Sequence, residues 1–176
     1  MTGIVFEPVY GWSLLVEAFE QIQALHPNAG LVIMGEGREM SACRELVQSK
    51  HLDGRVLLTG DLVHPTAVTL CREFADVMVR PTLVDGDSTF VREGIALKVP
   101  IVASNTDFRP EGTILFEKGN ARDLADKIQY SLLNEASIKR RLKSVEHPDN
   151  FQKTLEIIES NTNERTKDAR NLRSSR

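Results

Sequence analysis

Asp85 and Glu93 stand eight residues apart in the stretch Pro81 to Ser104, PTLVDGDSTFVREGIALKVPIVAS. Asp85 falls in an acidic, glycine-containing loop, and Glu93 falls one to two turns into the helix that follows. Carboxylates so placed can flank one hydroxyl-rich ligand. The backbone N–H groups of Asp87, Ser88 and Thr89 open that helix, where the first turn has no intrahelical acceptors and phosphate binds readily. Asp87 and Ser88 can also cap the helix, which draws on the same donors. Glu93, next to Arg92, has a plainer use too, as part of a solvated charged face. What favours a site is the context: a loop, a helix with Gly94-Ile95-Ala96-Leu97, then Pro100 and a buried strand. The expected ligand is phosphorylated and rich in hydroxyls.

These residues need a scaffold, and the hydrophobic pattern supplies one. Strands are predicted over 1–6, 31–34, 56–59, 77–79, 101–103 and 113–116, and helices over 12–25, 40–48, 66–72, 89–97 and 122–133. The first helix carries its apolar stripe on Leu15, Ala18, Phe19 and Ile22. Strand hydrophobicity is continuous rather than alternating, which marks a parallel sheet covered on both faces. The predicted fold is α/β, a doubly wound parallel sheet of Rossmann type, whose ligands sit in the crevice beyond the strand ends. A basic helix is expected over 136–143. Pro148 breaks the pattern, and a helix over 150–159 carries Phe151, Thr154, Leu155 and Ile158 on one face. The domain is placed at 1–159. Residues 160–176 are polar and charged with a single Leu172, and are expected to be disordered because they bury too little surface to offset ordering entropy.

Composition narrows the function classes. A chain of 176 residues, 41% hydrophobic and 27% charged, supports one domain, and a net charge of −3 with scattered basic residues argues against nucleic acid. No apolar run spans a bilayer and no leader pattern opens the chain, so a cytoplasmic protein is expected, at most peripheral to the inner membrane face. Cys43 and Cys71 are expected as buried free thiols. His26, His51, His64 and His147 lack metal-ligand spacing and read as turn residues, so no metal is expected. Gly35-Glu36-Gly37 lacks the third glycine of a dinucleotide fingerprint and reads as a turn whose glycines admit a ligand to the backbone. Trp12 opens an amphipathic helix and is expected to pack. A Gly-x-Ser-x-Gly elbow, a P-loop and the acidic pattern of a receiver domain are all missing.

Over residues 1 to 135 the chain resembles the C-terminal, donor-binding half of GT-B retaining glycosyltransferases. The resemblance runs from the Gly11 turn through LVIMGEG and RVLLTG to ILFEKGNARDLADKI. Its most specific part is Asp85-x7-Glu93 with the Gly-Ile-Ala-Leu-Lys-Val-Pro continuation, which matches the family's Glu-x7-Glu motif. The resemblance implies that Glu93 binds ribose hydroxyls, that Asp85 lies near the transferred sugar, and that the loop Gly86 to Phe90 offers amides to the diphosphate or sugar. It also implies that Leu62 and Val63 meet the nucleobase through their backbone. The donor would be a UDP- or GDP-linked sugar, with no other cofactor.

Three departures stand out. Asp85 is about 1.5 Å shorter than glutamate by one methylene. The family's basic residues near the first strand and helix are replaced by Ile4 or Val5 and by Tyr10. An N-terminal acceptor-binding domain is not part of the sequence. Arg80, ending the fourth strand, and Arg109, in Arg-Pro-Glu-Gly after the fifth, are therefore expected to neutralise the diphosphate. The competing use of Arg80 is an ion pair with Asp85 or Glu93. Alternatives of the same fold are a non-catalytic interaction module and a sugar-nucleotide epimerase fragment. Self-association through exposed interdomain surface is expected, with the Phe151 to Ile158 helix foremost.

Overall fold

The computed structural model describes residues 1–145, which form one compact unit. The 150–159 helix and the polar tail from Ser160 lie outside the described residues.

Two parallel three-stranded sheets make up the centre. One holds β1 (Thr2–Gly3), β2 (Leu31–Met34) and β3 (Val56–Leu58) in that order, and the other holds β4 (Met78–Arg80), β5 (Ile101–Ser104) and β6 (Ile114–Phe116). In register, Thr2 faces Ile33, Leu31 faces Val56, Met78 faces Ile101 and Val102 faces Ile114. The Val79 N–H donates to the Met1 carbonyl at 2.9 Å, and the Met1 amino group donates to the Val77 carbonyl at 2.7 Å. These bonds lay β1 along β4, so the strands run β3-β2-β1-β4-β5-β6. Chain order reverses between β1 and β4, which is where a doubly wound sheet opens its crevice.

The helices are α1 (Trp12–Leu25), α2 (Met40–Ser49), α3 (His64–Phe74), α4 (Thr89–Leu97), α5 (Ala121–Leu133) and α6 (Glu135–Leu142). α1 packs against α2 and α5, while α3 packs against α4. α1 buries Leu15, Ala18, Phe19 and Ile22, the stripe its sequence spacing predicts. All four residues of β5 are buried, as a strand covered on both faces requires. Each fully buried aliphatic side chain contributes about 1.5–3 kcal/mol relative to exposure.

Two boundaries depart from the sequence expectation for a clear local reason, while α4 keeps the predicted span Thr89–Leu97. The ladder of the first strand stops at Gly3, because Glu7 N–H turns back to the Val5 carbonyl at 2.9 Å and a short 3-10 turn follows at Pro8–Tyr10. α3 begins two residues earlier than expected, at His64, since Pro65 suits a first helical turn that needs no N–H. α4 ends on Lys98 at φ 60°, a left-handed residue whose N–H reaches Ile95, after which Pro100 releases the chain into β5.

Candidate functional site

The loops after β1, β2, β3, β4 and β5 converge at one end of the sheet. Gly11 makes this possible. It sits at φ 66°, and a Cβ there would lie 2.1 Å from the Pro81 carbonyl oxygen, so only glycine allows the start of α1 to press against the loop after β4. The Leu83 N–H donating to Val9 at 2.8 Å ties the same two segments together.

Asp85 sits at the centre of a part-buried polar cluster. Its Oδ2 accepts from Arg80 Nε at 3.0 Å, Arg109 Nη1 at 3.0 Å and Thr82 Oγ1 at 3.1 Å, and its Oδ1 accepts from Arg80 Nη2 at 3.3 Å. Arg109 also donates to the Ser104 carbonyl, Ser104 Oγ and Thr82 Oγ1, and its side chain is only 3% exposed. Arg80 donates to the Gly3 carbonyl at 3.1 Å and stands over the Tyr10 ring, 5.3 Å from its centroid, as a cation–π pair. Desolvation pushes the Asp85 carboxyl up, but the Arg80 hydrogen bond and charge, with bonds from Arg109 and Thr82, outweigh it and hold the group below the usual carboxylate range. Two guanidinium groups against one carboxylate leave the cluster with one net positive charge.

Glu93 lies in a separate compartment. A cleft of about 230 Å³ opens between α3 and α4 over the ends of β1 and β2, lined by Gly3, Ile4, Met34, Gly35, Asp61, Leu62, His64, Phe90 and Glu93 among others. Gly94 sets the helix there. Its Cβ position would be 3.0 Å from Ile101 Cβ and 3.4 Å from Met78 Sδ, so the glycine lets α4 settle on the sheet and the neighbouring Glu93 turn into the cleft. Glu93 Oε1 lies 2.6 Å from His64 Nε2.

The sequence-predicted residues divide between these places. Gly35, Leu62, Phe90 and Glu93 line the cleft, and Arg80, Asp85 and Arg109 form the cluster. Gly3 joins the two, since its carbonyl accepts from Arg80 while it lines the cleft, where a Cβ on it would lie 3.3 Å from the Phe90 ring. Asp85 does not line the cleft, so the two acids occupy adjoining compartments rather than flanking one cavity. Of the two uses weighed for Arg80, pairing with Asp85 is the one observed. Arg109 is engaged in the same way, a pairing the sequence did not suggest.

Asp87 is held by Arg92 in a two-pronged exposed pair at 2.6 and 2.7 Å, and this hydrogen bonding keeps its carboxyl below the ordinary range. Neither Asp87 nor Ser88 caps α4 through its side chain, which leaves the amides of Thr89 and Phe90 without a side-chain acceptor there. Gly86 is exposed beside the cluster, and its carbonyl lies 3.5 Å from Arg109 Nη1. Val63 is 72% exposed.

The glycines of Gly35-Glu36-Gly37 have a packing use alongside the expected approach of a ligand. A Cβ on Gly35, at φ 129°, would lie 1.9 Å from the Ile4 carbonyl oxygen, and one on Gly37 would lie 2.5 Å from Phe6 N. Both let the turn press against the chain after β1. Glu36 is exposed, and its carbonyl accepts from Phe6 at 3.0 Å. Trp12 packs as expected, with its indole N–H donating to Glu39 at 2.7 Å.

His64 is the functional candidate that sequence reasoning missed. Read as a turn residue, it instead starts a helix and reaches across to Glu93. The histidine-proline pair at the start of a helical pattern was the available signal. Thr82 and Ser104 were missed as well. Ser104 had a signal, a polar residue closing a wholly apolar strand. Cys43 and Cys71 are buried free thiols, with burial pushing Cys43 up to about 11 and Cys71 upward too.

A doubly wound parallel domain with its cleft at the strand-order reversal is a Rossmann-like half-fold of the kind that binds nucleotides. Comparison with known proteins sharpens this. The family model for glycosyl transferases group 1 matches residues 1–134, and the chain belongs to that family. An uncharacterised glycosyltransferase of Methanocaldococcus jannaschii, MJ1059, is 25% identical over 120 residues, 68% of this chain and 28% of its own length. The structure of Anabaena Alr3699/HepE in complex with UDP superposes with a TM-score of 0.74 at 17% identity, over 90% of this chain and 48% of that one. The C-terminal domain of the group 1 glycosyltransferase LpcC from Francisella tularensis gives 0.68 at 19% identity, over 82% of this chain and 80% of that one. The fold is that of one Rossmann-like half of a GT-B glycosyltransferase. The chain spans about a quarter of the archaeal relative and about half of the Anabaena protein.

Proposed function

We propose that this chain is the donor-binding half of a retaining glycosyltransferase, which holds a UDP- or GDP-linked sugar while a second α/β domain brings a glycan or glycoconjugate acceptor. The observation that carries the reading is Glu93, a carboxylate held at the wall of a largely apolar cleft at the strand-order reversal. An apolar surface with a few placed polar groups suits a nucleoside: Leu62 and Gly35 would meet the base, and Glu93 the ribose hydroxyls. Its volume is below the ~300–1,000 Å³ typical of pockets that enclose a whole ligand, as fits a surface that takes only part of the donor.

The diphosphate would lie toward the start of α4. The loop Gly86 to Phe90 offers amides there, and the cluster's net positive charge lies behind it. In the transfer step the bond between the sugar carbon and the diphosphate oxygen breaks, a new bond forms to the acceptor oxygen, and the acceptor proton passes to the departing diphosphate. Charge gathers on the departing diphosphate, and preorganised amides and cations stabilise it where water is excluded. Asp85 would act on this step from beside the sugar or through its two arginines. Val63, Val84 and Phe108, each more than half exposed on loops at this end, fit a docking face for the second domain. Among the described residues no helix is long and apolar enough to cross a membrane. A cytoplasmic place of action, peripheral to the membrane at most, belongs to the same proposal.

Titration calorimetry with UDP, GDP and their glucose conjugates tests the reading. Binding of one nucleotide series, weakened about 10- to 100-fold by Glu93→Gln, is the expected result, since hydrogen bonds to a charged group carry that much. Binding unaffected by Glu93→Gln would remove the assignment of this cleft. Failure of every nucleotide to bind would favour a non-catalytic module, a reading that the mutual engagement of Asp85 with both arginines also supports.

A further inference from the structure

We propose that His64 is a positioning residue that holds Glu93 in the orientation needed to receive the two hydroxyls of a ribose. The inference rests on the donor reading above and adds a residue to it. His64 opens α3 and Glu93 belongs to α4, so the pair bridges the two helices that wall the cleft. Nε2 lies 2.6 Å from Oε1, a short charge-assisted or tautomer-dependent hydrogen bond. Asp61 and Cys71 are the other titratable groups lining the cleft, and the hydrogen bonds of the described residues link neither of them to Glu93.

The geometry leaves the working half of the carboxylate open. Each carboxylate oxygen accepts about two hydrogen bonds, so with Oε1 on His64, Oε2 and the remaining lone pair of Oε1 stay available for a vicinal diol. Among the described residues no group donates to Oε2. A glutamate left to itself has three rotatable bonds and must be ordered when ligand arrives. His64 orders it beforehand, and preorganisation of this kind appears as affinity.

Stability does not account for the pair. The His64 side chain is 71% exposed and that of Glu93 24%, and a polar pair so open to water contributes little to folding. Its consequence should therefore appear in binding. It should appear only for ligands that carry the diol.

The test is calorimetry of UDP and GDP against their 2′,3′-dideoxy analogues on wild type, His64→Ala and His64→Gln. Expected for His64→Ala is a loss of about tenfold in ribonucleotide affinity, with dideoxynucleotide affinity unchanged. His64→Gln places an amide nitrogen near the position of Nε2 and should recover affinity to within about threefold of wild type. A fall in affinity for both ligand types alike, or no change in the ribo-to-dideoxy ratio, overturns the role of His64 and leaves the donor reading standing. Tighter ribonucleotide binding by His64→Ala overturns it too, since the histidine would then mask Glu93. If wild type binds neither UDP nor GDP, the donor reading falls and this inference with it.

Discussion

Removing the Asp85 carboxylate should destabilise the domain by an amount that can be worked from the cluster. Asp85→Ala deletes four hydrogen bonds, three of them at 3.0–3.1 Å, and leaves Arg80 and Arg109 facing each other without an anion. Breaking a buried ion pair from one side costs about 3–5 kcal/mol. Two features lower that figure here. Asp85 and Arg80 are each 13% exposed, so water reaches the gap, and Arg109 keeps its bonds to Ser104 and Thr82. A loss of about 2–3 kcal/mol follows, or roughly 5–10 °C in melting temperature for a domain of this size. Asp85→Asn keeps the shape and one acceptor and should lose slightly less. Urea unfolding followed by circular dichroism measures both variants. If Asp85→Ala unfolds within 0.5 kcal/mol of wild type, a margin typical of uninvolved surface sites, the cluster does not hold the loop as described. A double-mutant cycle of Asp85→Asn with Arg109→Met should give a coupling of at least about 1 kcal/mol, because the residues touch.

Four further outcomes follow. Gly11→Ala should cost about 2–4 kcal/mol, from the left-handed φ and the overlap with Pro81, and an unchanged urea midpoint would refute the close approach. Lys98→Gly relieves a left-handed residue at the end of α4 and should raise stability by about 0.5–1 kcal/mol, read from the same midpoint; a loss would contradict it. Because the folded Asp85 carboxyl sits below its unfolded value, its stabilisation is complete above that unfolded value of about pH 4 and fades as pH falls through the folded one. Acid titration monitored by fluorescence should show a loss below about pH 4 in wild type that is smaller in Asp85→Asn, where the contribution of Asp87 remains. Cys43 and Cys71 should resist a thiol reagent at pH 8 in the native protein and both react in urea, since burial both shields them and suppresses the thiolate.

Much of the scaffold was legible because local pattern and tertiary environment agree. α1, β2 and α4 fall on the predicted residues, each carrying a periodicity that burial rewards. Glu93 was legible from its spacing and from the Gly94 that follows it. Other features depended on contacts distant in sequence. Gly35 and Gly37 read locally as a ligand turn, and their close fit against Ile4 and Phe6, some thirty residues away, has no local signature. The tie of Arg109 to Asp85 spans 24 residues and has no local signature. His64 and Glu93 meet across 29 residues, through the packing of α3 on α4.

The central claim is that a nucleotide binds between α3 and α4 with its ribose on Glu93. Titrating the isotope-labelled chain with UDP and with GDP and following backbone amide resonances tests it most directly. The account predicts the largest shifts at Gly35, Leu62, Val63, Phe90 and Glu93, with Thr89 following as the diphosphate settles on the start of α4. Shifts centred instead at the opposite end of the sheet, around Ala29, Phe74 and Leu132, would contradict it.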